Sequence, residues 1–165
     1  MVYIVMGVSG CGKSTIGKML AERLAITFHD ADDYHSQKNV NKMMNLIPLN
    51  DEDRNPWLID LASQITKWNK GKGAVLACSA LKEKDRQILT GDGTEKVVFV
   101  YLKGDRDIIL NRMRSRENHF FPPALLETQL SALQVPLDAI TIQIDKTPEE
   151  LCSAIIDELV RNGFT

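Results

Sequence analysis

The stretch that decides the fold is Gly7-Val8-Ser9-Gly10-Cys11-Gly12-Lys13-Ser14. It matches G-x-x-x-x-G-K-[ST], the pattern of a phosphate-binding loop. Its glycines let the backbone wrap a phosphate with N–H groups, and a helix starting at the end of the loop adds a positive dipole. Lys13 is placed to reach the β- and γ-phosphates, and the Ser14 hydroxyl to ligate Mg²⁺. The flanks agree. Val2 to Met6 is an apolar run fit for a buried strand, and Ile16, Met19, Leu20 and Leu24 follow at helical spacing. The eight loop residues and Thr15 behind them are the expected nucleotide contacts, with ATP and Mg²⁺ the expected cofactors.

Outward from the loop, short apolar runs alternate with helical patterns. Strands are expected at 2–6, 26–29, 74–78, 97–102 and 140–144. Helices are expected from Ile16 to Leu24, Ser36 to Leu46, Pro56 through Trp68, Lys82 to Leu89 and Asp105 to Arg116. Two more carry Leu126, Leu130 and Leu133, and run from Pro148 to Gly163. Leu46 to Arg54 is polar and broken by Pro48, so it reads as a loop, and Glu117 to Pro123 reads as a mobile one. The fold class is α/β: a doubly wound, parallel, five-stranded sheet of the P-loop NTPase kind, with helices on both faces.

The chain has 165 residues, 44% hydrophobic and 25% charged, which fits a single domain over 1–165. A net charge of −2 argues against bulk electrostatic binding to nucleic acid or to a membrane surface. No run of 18 apolar residues exists to span a bilayer, and Met1 to Met6 lacks the basic start of a secretory signal. Three widely spaced cysteines, Cys11, Cys78 and Cys152, fit a reducing compartment, so a cytoplasmic protein is expected.

A switch GTPase needs Asn-Lys-x-Asp and D-x-x-G, and neither is present. A motor-type ATPase carries an acid at the end of a core strand, whereas the run 74–78 ends in Cys-Ser-Ala. The acids follow the second strand instead, in Phe28-His29-Asp30-Ala31-Asp32-Asp33-Tyr34-His35. Alternate residues of an extended segment share a face, so Asp30 and Asp32 are expected to point together. One carboxylate there suits Mg²⁺, held through its waters, and the other suits the proton of an attacking hydroxyl. A helix N-cap in a solvated acidic turn is the other reading of such a cluster, and Asp33 fits it.

The order of motifs along the chain resembles the gluconokinase family. The resemblance starts with the loop and the D-x-D, then His35, Asn39, Lys42-Met43 and Pro48-Leu49-Asn50-Asp51-Glu52-Asp53-Arg54, with Pro56-Trp57-Leu58 close behind. It continues through Cys78-Ser79-Ala80-Leu81-Lys82, Arg86, Tyr101-Leu102-Lys103-Gly104, Arg112, Arg116 and His119-Phe120. It ends with Leu126, Gln129, Leu133 and Pro136, so it covers nearly the whole chain. The family resemblance implies the fold of nucleoside-monophosphate and shikimate kinases, with a helical substrate segment near 35–57 and a lid near 112–123. It implies ATP- and Mg²⁺-dependent phosphorylation of D-gluconate at its primary hydroxyl to 6-phospho-D-gluconate, and a homodimer. This chain departs from the family at Ser36 (usually Pro), at Leu46 (usually Gly) and at Gln134 (Glu in the family's Leu-Glu-x-Pro).

The resemblance assigns roles. Asp32 positions and deprotonates the hydroxyl, and Asp30 joins Ser14 at the metal. Arg54 holds a carboxylate bidentately, with Lys42 and Lys82 as further cations. His35, Asn39 and Ser79 hydrogen-bond hydroxyls. Solvated helix faces remain open readings for Lys42 and Lys82, as does an ion pair with Asp51 or Asp53 for Arg54. Arg112 and Arg116 lie four apart on one helix face, Arg116 for the migrating phosphoryl and Arg112 for the adenine. His119 either contacts phosphate or substrate, or steadies the closed lid. Lys146 and Pro148 lie where relatives pack against adenine. Trp68 and His29 read as packing residues, and Trp57 either covers the substrate or packs in the core. Two rival functions stay open: a kinase for shikimate, a nucleoside monophosphate or another sugar acid, and a nucleotide-binding regulatory module without transfer. Arg116→Ala is expected to lower kcat well beyond any change in ATP affinity, which steady-state kinetics beside equilibrium titration will check.

Overall fold

Strand β1 (Val2–Met6) is apolar at every position because protein covers both its faces. The computed structural model describes residues 1–93, 96–115 and 123–165, except the side chains of Pro123 and Ala124. β1 pairs in parallel with β3 (Ala74–Ala77) on one side and β4 (Val97–Lys103) on the other. β2 (Thr27–Asp30) and β5 (Ile140–Gln143) close the edges, giving the order β2-β3-β1-β4-β5, all parallel.

The period-2 alternation of β1 splits the core in two. Tyr3 and Val5 face α1 (Lys13–Leu24), α5 (Arg106–Arg114), α6 (Pro123–Ala132) and α7 (Pro148–Arg161) through Ile16, Leu20, Ile109, Leu126, Leu151 and Ile155. Val2, Ile4 and Met6 face α3 (Asp51–Lys70) and α4 (Glu83–Thr90) through Leu58, Leu61, Ile65 and Leu89. Trp68 and His29 are packing residues, as read from the sequence. The rings stack at 4.2 Å, and the His29 nitrogens sit 3.0 Å from Tyr34 Oη and 3.2 Å from Thr27 Oγ1. Among the described residues no helix is long and apolar enough to cross a membrane.

Three expectations need correcting. The third helix starts at Asp51, not at Pro56. Asn50 and Asp53 form a reciprocal capping box, which satisfies orphan N–H groups at the helix start, and Pro56 falls in the sixth helical position. Asp30 and Asp32 do not alternate along one strand. β2 ends at Asp30, and Ala31–Tyr34 forms a 3₁₀ turn capped by Asp30, whose Oδ1 accepts from the Asp32 N–H at 3.0 Å. The N-cap is therefore Asp30, and Asp33 is an exposed residue within the turn. The helix α2 (Gln37–Met44) is capped by Ser36, whose Oγ accepts from the Asn39 N–H at 3.2 Å. Leu46, where the family has glycine, holds φ +56, a region that favours glycine. The expected loop at 117–123 lies outside the described residues but for Pro123, which opens α6.

Candidate active site

The carboxyl ends of β1, β2 and β3 lie side by side, so the loops that leave them form one surface. Two glycines shape the loop after β1. Gly7 holds φ +146, and a Cβ there would sit 2.9 Å from the Leu102 carbonyl oxygen; Gly10 holds φ +82, and its Cβ would sit 2.8 Å from Met113 Cγ. Any side chain at these points would push the loop off β4 and α5. Gly12 begins α1 and has no side chain to block the first-turn N–H groups, which stay open to an anion. Lys13 Nζ donates to the Val8 carbonyl at 3.1 Å, folding the ammonium over the loop. Cys11 is fully buried and its thiol is pushed up by desolvation, consistent with no chemistry of its own.

A cavity of about 290 Å³ opens beside the loop, lined by Cys11, Gly12, Thr15, Ile16, Arg112, Ser115, Pro148 and Leu151. Five residues expected at the nucleotide, Cys11, Gly12, Thr15, Arg112 and Pro148, therefore meet in one place. The Arg112 guanidinium donates to the Ile144 carbonyl. Lys146 is not part of this lining; it lies in the exposed loop before α7.

On the other side of the loop, Ser14 Oγ donates to Asp30 Oδ2 at 2.8 Å, so two oxygen ligands stand together, a set suited to a hard cation such as Mg²⁺. Asp32 follows within the 3₁₀ turn, its side chain 81% exposed, with Oδ1 3.8 Å from His35 Nε2. Desolvation by the surrounding chain raises the Asp32 pKa above the ordinary carboxylate range, and the Asp30 charge adds to the rise; His35 and Lys13 pull it down. Solvent reaches this carboxylate and screens each of these effects.

His35 is held firmly. Its ring stacks on Trp57 at 4.2 Å and 18°, and the Trp57 indole donates to the Ala31 carbonyl at 2.8 Å. Asn39 is only 2% exposed, and its Nδ2 sits 3.4 Å from His35 Nδ1 and 2.8 Å from the Asp53 carbonyl. With Nδ1 accepting, the neutral ring turns Nε2–H toward Asp32. Burial lowers the His35 pKa, which favours that neutral form. Asn39 was expected to meet substrate hydroxyls; the geometry buries it and gives it His35 to position.

The cations are paired. Lys42 Nζ donates to Asp53 Oδ2 at 2.7 Å, and Lys38 Nζ lies 3.6 Å from Oδ1. Arg54 Nη2 donates to Asp51 Oδ1 at 2.7 Å and lies 3.8 Å from Asp85; its Nε is buried without a hydrogen-bond partner. Lys82 reaches the same Asp51 oxygen at 3.2 Å, and Lys84 the other. Hydrogen bonds from Lys84 and Lys82 hold the Asp51 carboxyl down at about 2. The ion pair read as one option for Arg54 is thus present, and Lys42 and Lys82 are not simply solvated. Ser79 lies just beyond β3, ahead of Ala80, which holds φ +44. Arg116 and His119 lie outside the described residues.

Sequence reasoning missed two features. Asp51 and Asp53 act as anchors for five cations, for which the capping-box spacing offered a partial signal. Gln129 accepts from the Ser9 N–H at 2.6 Å and donates to Ser9 Oγ at 3.1 Å across 120 residues, a contact with no local signature.

Fold and site together define a P-loop kinase, a class of nucleotide-using phosphotransferases. The shikimate kinase family profile matches residues 9–160. A probable gluconokinase of Mus musculus is 42% identical, over 96% of this chain and 97% of its own length. The thermoresistant gluconokinase of Escherichia coli strain K12 is 38% identical, over 98% and 94%. The crystal structure of a gluconokinase from Sinorhizobium meliloti 1021 superposes with a TM-score of 0.87 at 34% identity, over 97% of this chain and 91% of that one. This chain belongs to the gluconokinase family.

One consequence follows from the raised Asp32 pKa. In the fold, the raised pKa favours the protonated carboxyl, so stability from this group is present at low pH and lost as pH rises through the folded pKa. Asp32→Asn is therefore expected to raise Tm at neutral pH, to no effect at low pH, as read by thermal melts across pH.

Proposed function

We propose that the chain transfers the γ-phosphoryl of ATP to the primary hydroxyl of D-gluconate, giving ADP and 6-phospho-D-gluconate. The observation that carries this reading is the placement of Asp32. It stands at the carboxyl edge of the sheet beside the Lys13 loop and next to the Ser14–Asp30 pair, with its pKa raised above the ordinary carboxylate value. A polyhydroxylated carboxylate needs cations at one end and a base at the other. Arg54 and Lys82, gathered on Asp51, supply the first, with Lys42 nearby on Asp53. Asp32 supplies the second.

In this reading the loop N–H groups and Lys13 hold the phosphates, and the cavity beside Arg112 and Pro148 takes the adenine, with Lys146 at its edge. Ser14 and Asp30 would hold Mg²⁺, which neutralises phosphate charge. Asp32 orients the hydroxyl, helped by His35, and takes its proton as the new P–O bond forms. Ser79 joins His35 in meeting hydroxyls, and Asn39 acts through His35. Arg116 stabilises charge on the migrating group, and His119 belongs to the lid over 112–123. The buried, unpaired Cys11, Cys78 and Cys152 suit a reducing compartment such as the cytoplasm. A homodimer is part of the proposal on the family resemblance.

The test is ADP release with Mg·ATP and an acceptor panel of D-gluconate, two other sugar acids, shikimate and nucleoside monophosphates. Gluconate is expected to stimulate it most. Asp32→Asn is expected to cut kcat by about 10²–10⁴-fold while ATP KM stays within about two-fold. Near-normal turnover in that variant rejects Asp32 as the base, and stimulation by another acceptor alone rejects gluconate.

A further inference from the structure

We propose that residues 129–134 form a strap that fixes the nucleotide loop and the acceptor loop in register, with Gln129 and Gln134 as positioning residues. The acceptor side of this inference rests on the reading above that Ser79 and Lys82 face the substrate. Gln129 clasps Ser9 in the nucleotide loop: the Ser9 N–H donates to Oε1 at 2.6 Å and Nε2 donates to Ser9 Oγ at 3.1 Å. Five residues on, Gln134 clasps the loop after β3: its N–H donates to the Leu81 carbonyl at 2.9 Å, and its Oε1 accepts from the Glu83 N–H at 2.6 Å.

The two loops leave neighbouring parallel strands whose ladder sets Val5 opposite Ala77 and runs on to the Cys78 N–H, which donates to the Val5 carbonyl at 3.1 Å. Beyond the ladder the strap joins them. Its own stiffness comes from the Leu133 N–H bonded to the Gln129 carbonyl at 3.0 Å, and from Leu130 and Leu133, which pack into the cores on opposite faces of the sheet. The acceptor loop needs such support. Ala80 holds φ +44, and the Arg86 guanidinium already braces the Ala80 and Leu81 carbonyls from the α4 side at 2.9 and 3.1 Å. Transfer in line between two bound substrates loses rate steeply when their carriers shift by a fraction of an ångström. Neither glutamine is assigned a contact with a reacting atom, so both act through the loops.

Gln134 stands where the resemblance to the gluconokinases leads one to expect Glu. Both residues offer the oxygen that Glu83 N–H needs, so Gln134→Glu tests geometry against charge.

The experiment compares Gln129→Ala, Gln134→Ala, the double variant and Gln134→Glu in the full chain, by steady-state kinetics and site-resolved amide exchange. Each alanine variant is expected to lower kcat about ten-fold. ATP KM rises only for Gln129→Ala, and gluconate KM only for Gln134→Ala. The double variant is no slower than the slower single, because the register is lost once. Gln134→Glu keeps kcat within about two-fold. Multiplied kcat losses in the double variant, or unchanged kcat in both singles, overturn the strap. Exchange needs no acceptor. The Ser9 amide is expected to speed up only without Gln129, and the Glu83 amide only without Gln134. Unchanged exchange overturns the strap even if gluconate proves not to be the substrate, and changed exchange without gluconate turnover overturns only the acceptor.

Discussion

Everything in this molecule is arranged around the need to point several backbone N–H groups at one spot. Ordinary side chains resist this, because backbone angles such as φ +146 at Gly7 and +82 at Gly10 are strained for them. Gly7 and Gly10 solve the local problem, but glycine is costly to order, so the loop needs neighbours on every side. The Leu102 carbonyl of β4 and Met113 of α5 press against it, and Gln129 of α6 clasps it from a third direction. The parallel sheet makes this possible. With β1 at the centre of five strands and buried along its length, the loop leaves from the middle of the sheet, and the carboxyl ends of β2 and β3 lie on the same edge.

The charges around the acceptor region obey a second constraint. Cations gathered this closely need carboxylates to hold them together. Asp51 does so for Arg54, Lys82 and Lys84, and Asp53 for Lys42 and Lys38. Both acids sit in the first turn of α3, where the helix dipole favours negative charge, and Asp53 also closes the capping box. One short segment therefore starts a helix, gathers the cations and ties α2 to α3. Asp32 is treated in the opposite way. It lies beside the like charge of Asp30 and is desolvated in part, and both raise its pKa, while solvent screens the effect.

The parts of this design that depend on neighbours in sequence were readable from it. The loop, its flanking strand and helix, and all five strands follow from short-range pattern. The start of α3 was misread because Pro56 suits a first helical turn, while the Asn50–Asp53 box starts the helix five residues earlier, at Asp51. The geometry of Asp30 and Asp32 was misread because an extended period was carried past the end of β2, where a side-chain cap turns the chain into a 3₁₀ turn. Leu46 shows its meaning only with a backbone angle attached: a left-handed position accounts for the family's glycine, and nothing in the structure explains the leucine. The partners of Lys82 and Ser9 were unreadable for a simpler reason. They lie 31 and 120 residues away, and only folding selects among the candidates.

The central claim is that these loops deliver a phosphoryl group to the far end of a sugar acid held by its carboxylate. The most direct measurement is phosphorus–proton correlation NMR of the product formed from Mg·ATP and D-gluconate. The account predicts a phosphate coupled to the two protons of the terminal methylene. A phosphate coupled to a single methine proton of the chain, or inorganic phosphate alone, would contradict it.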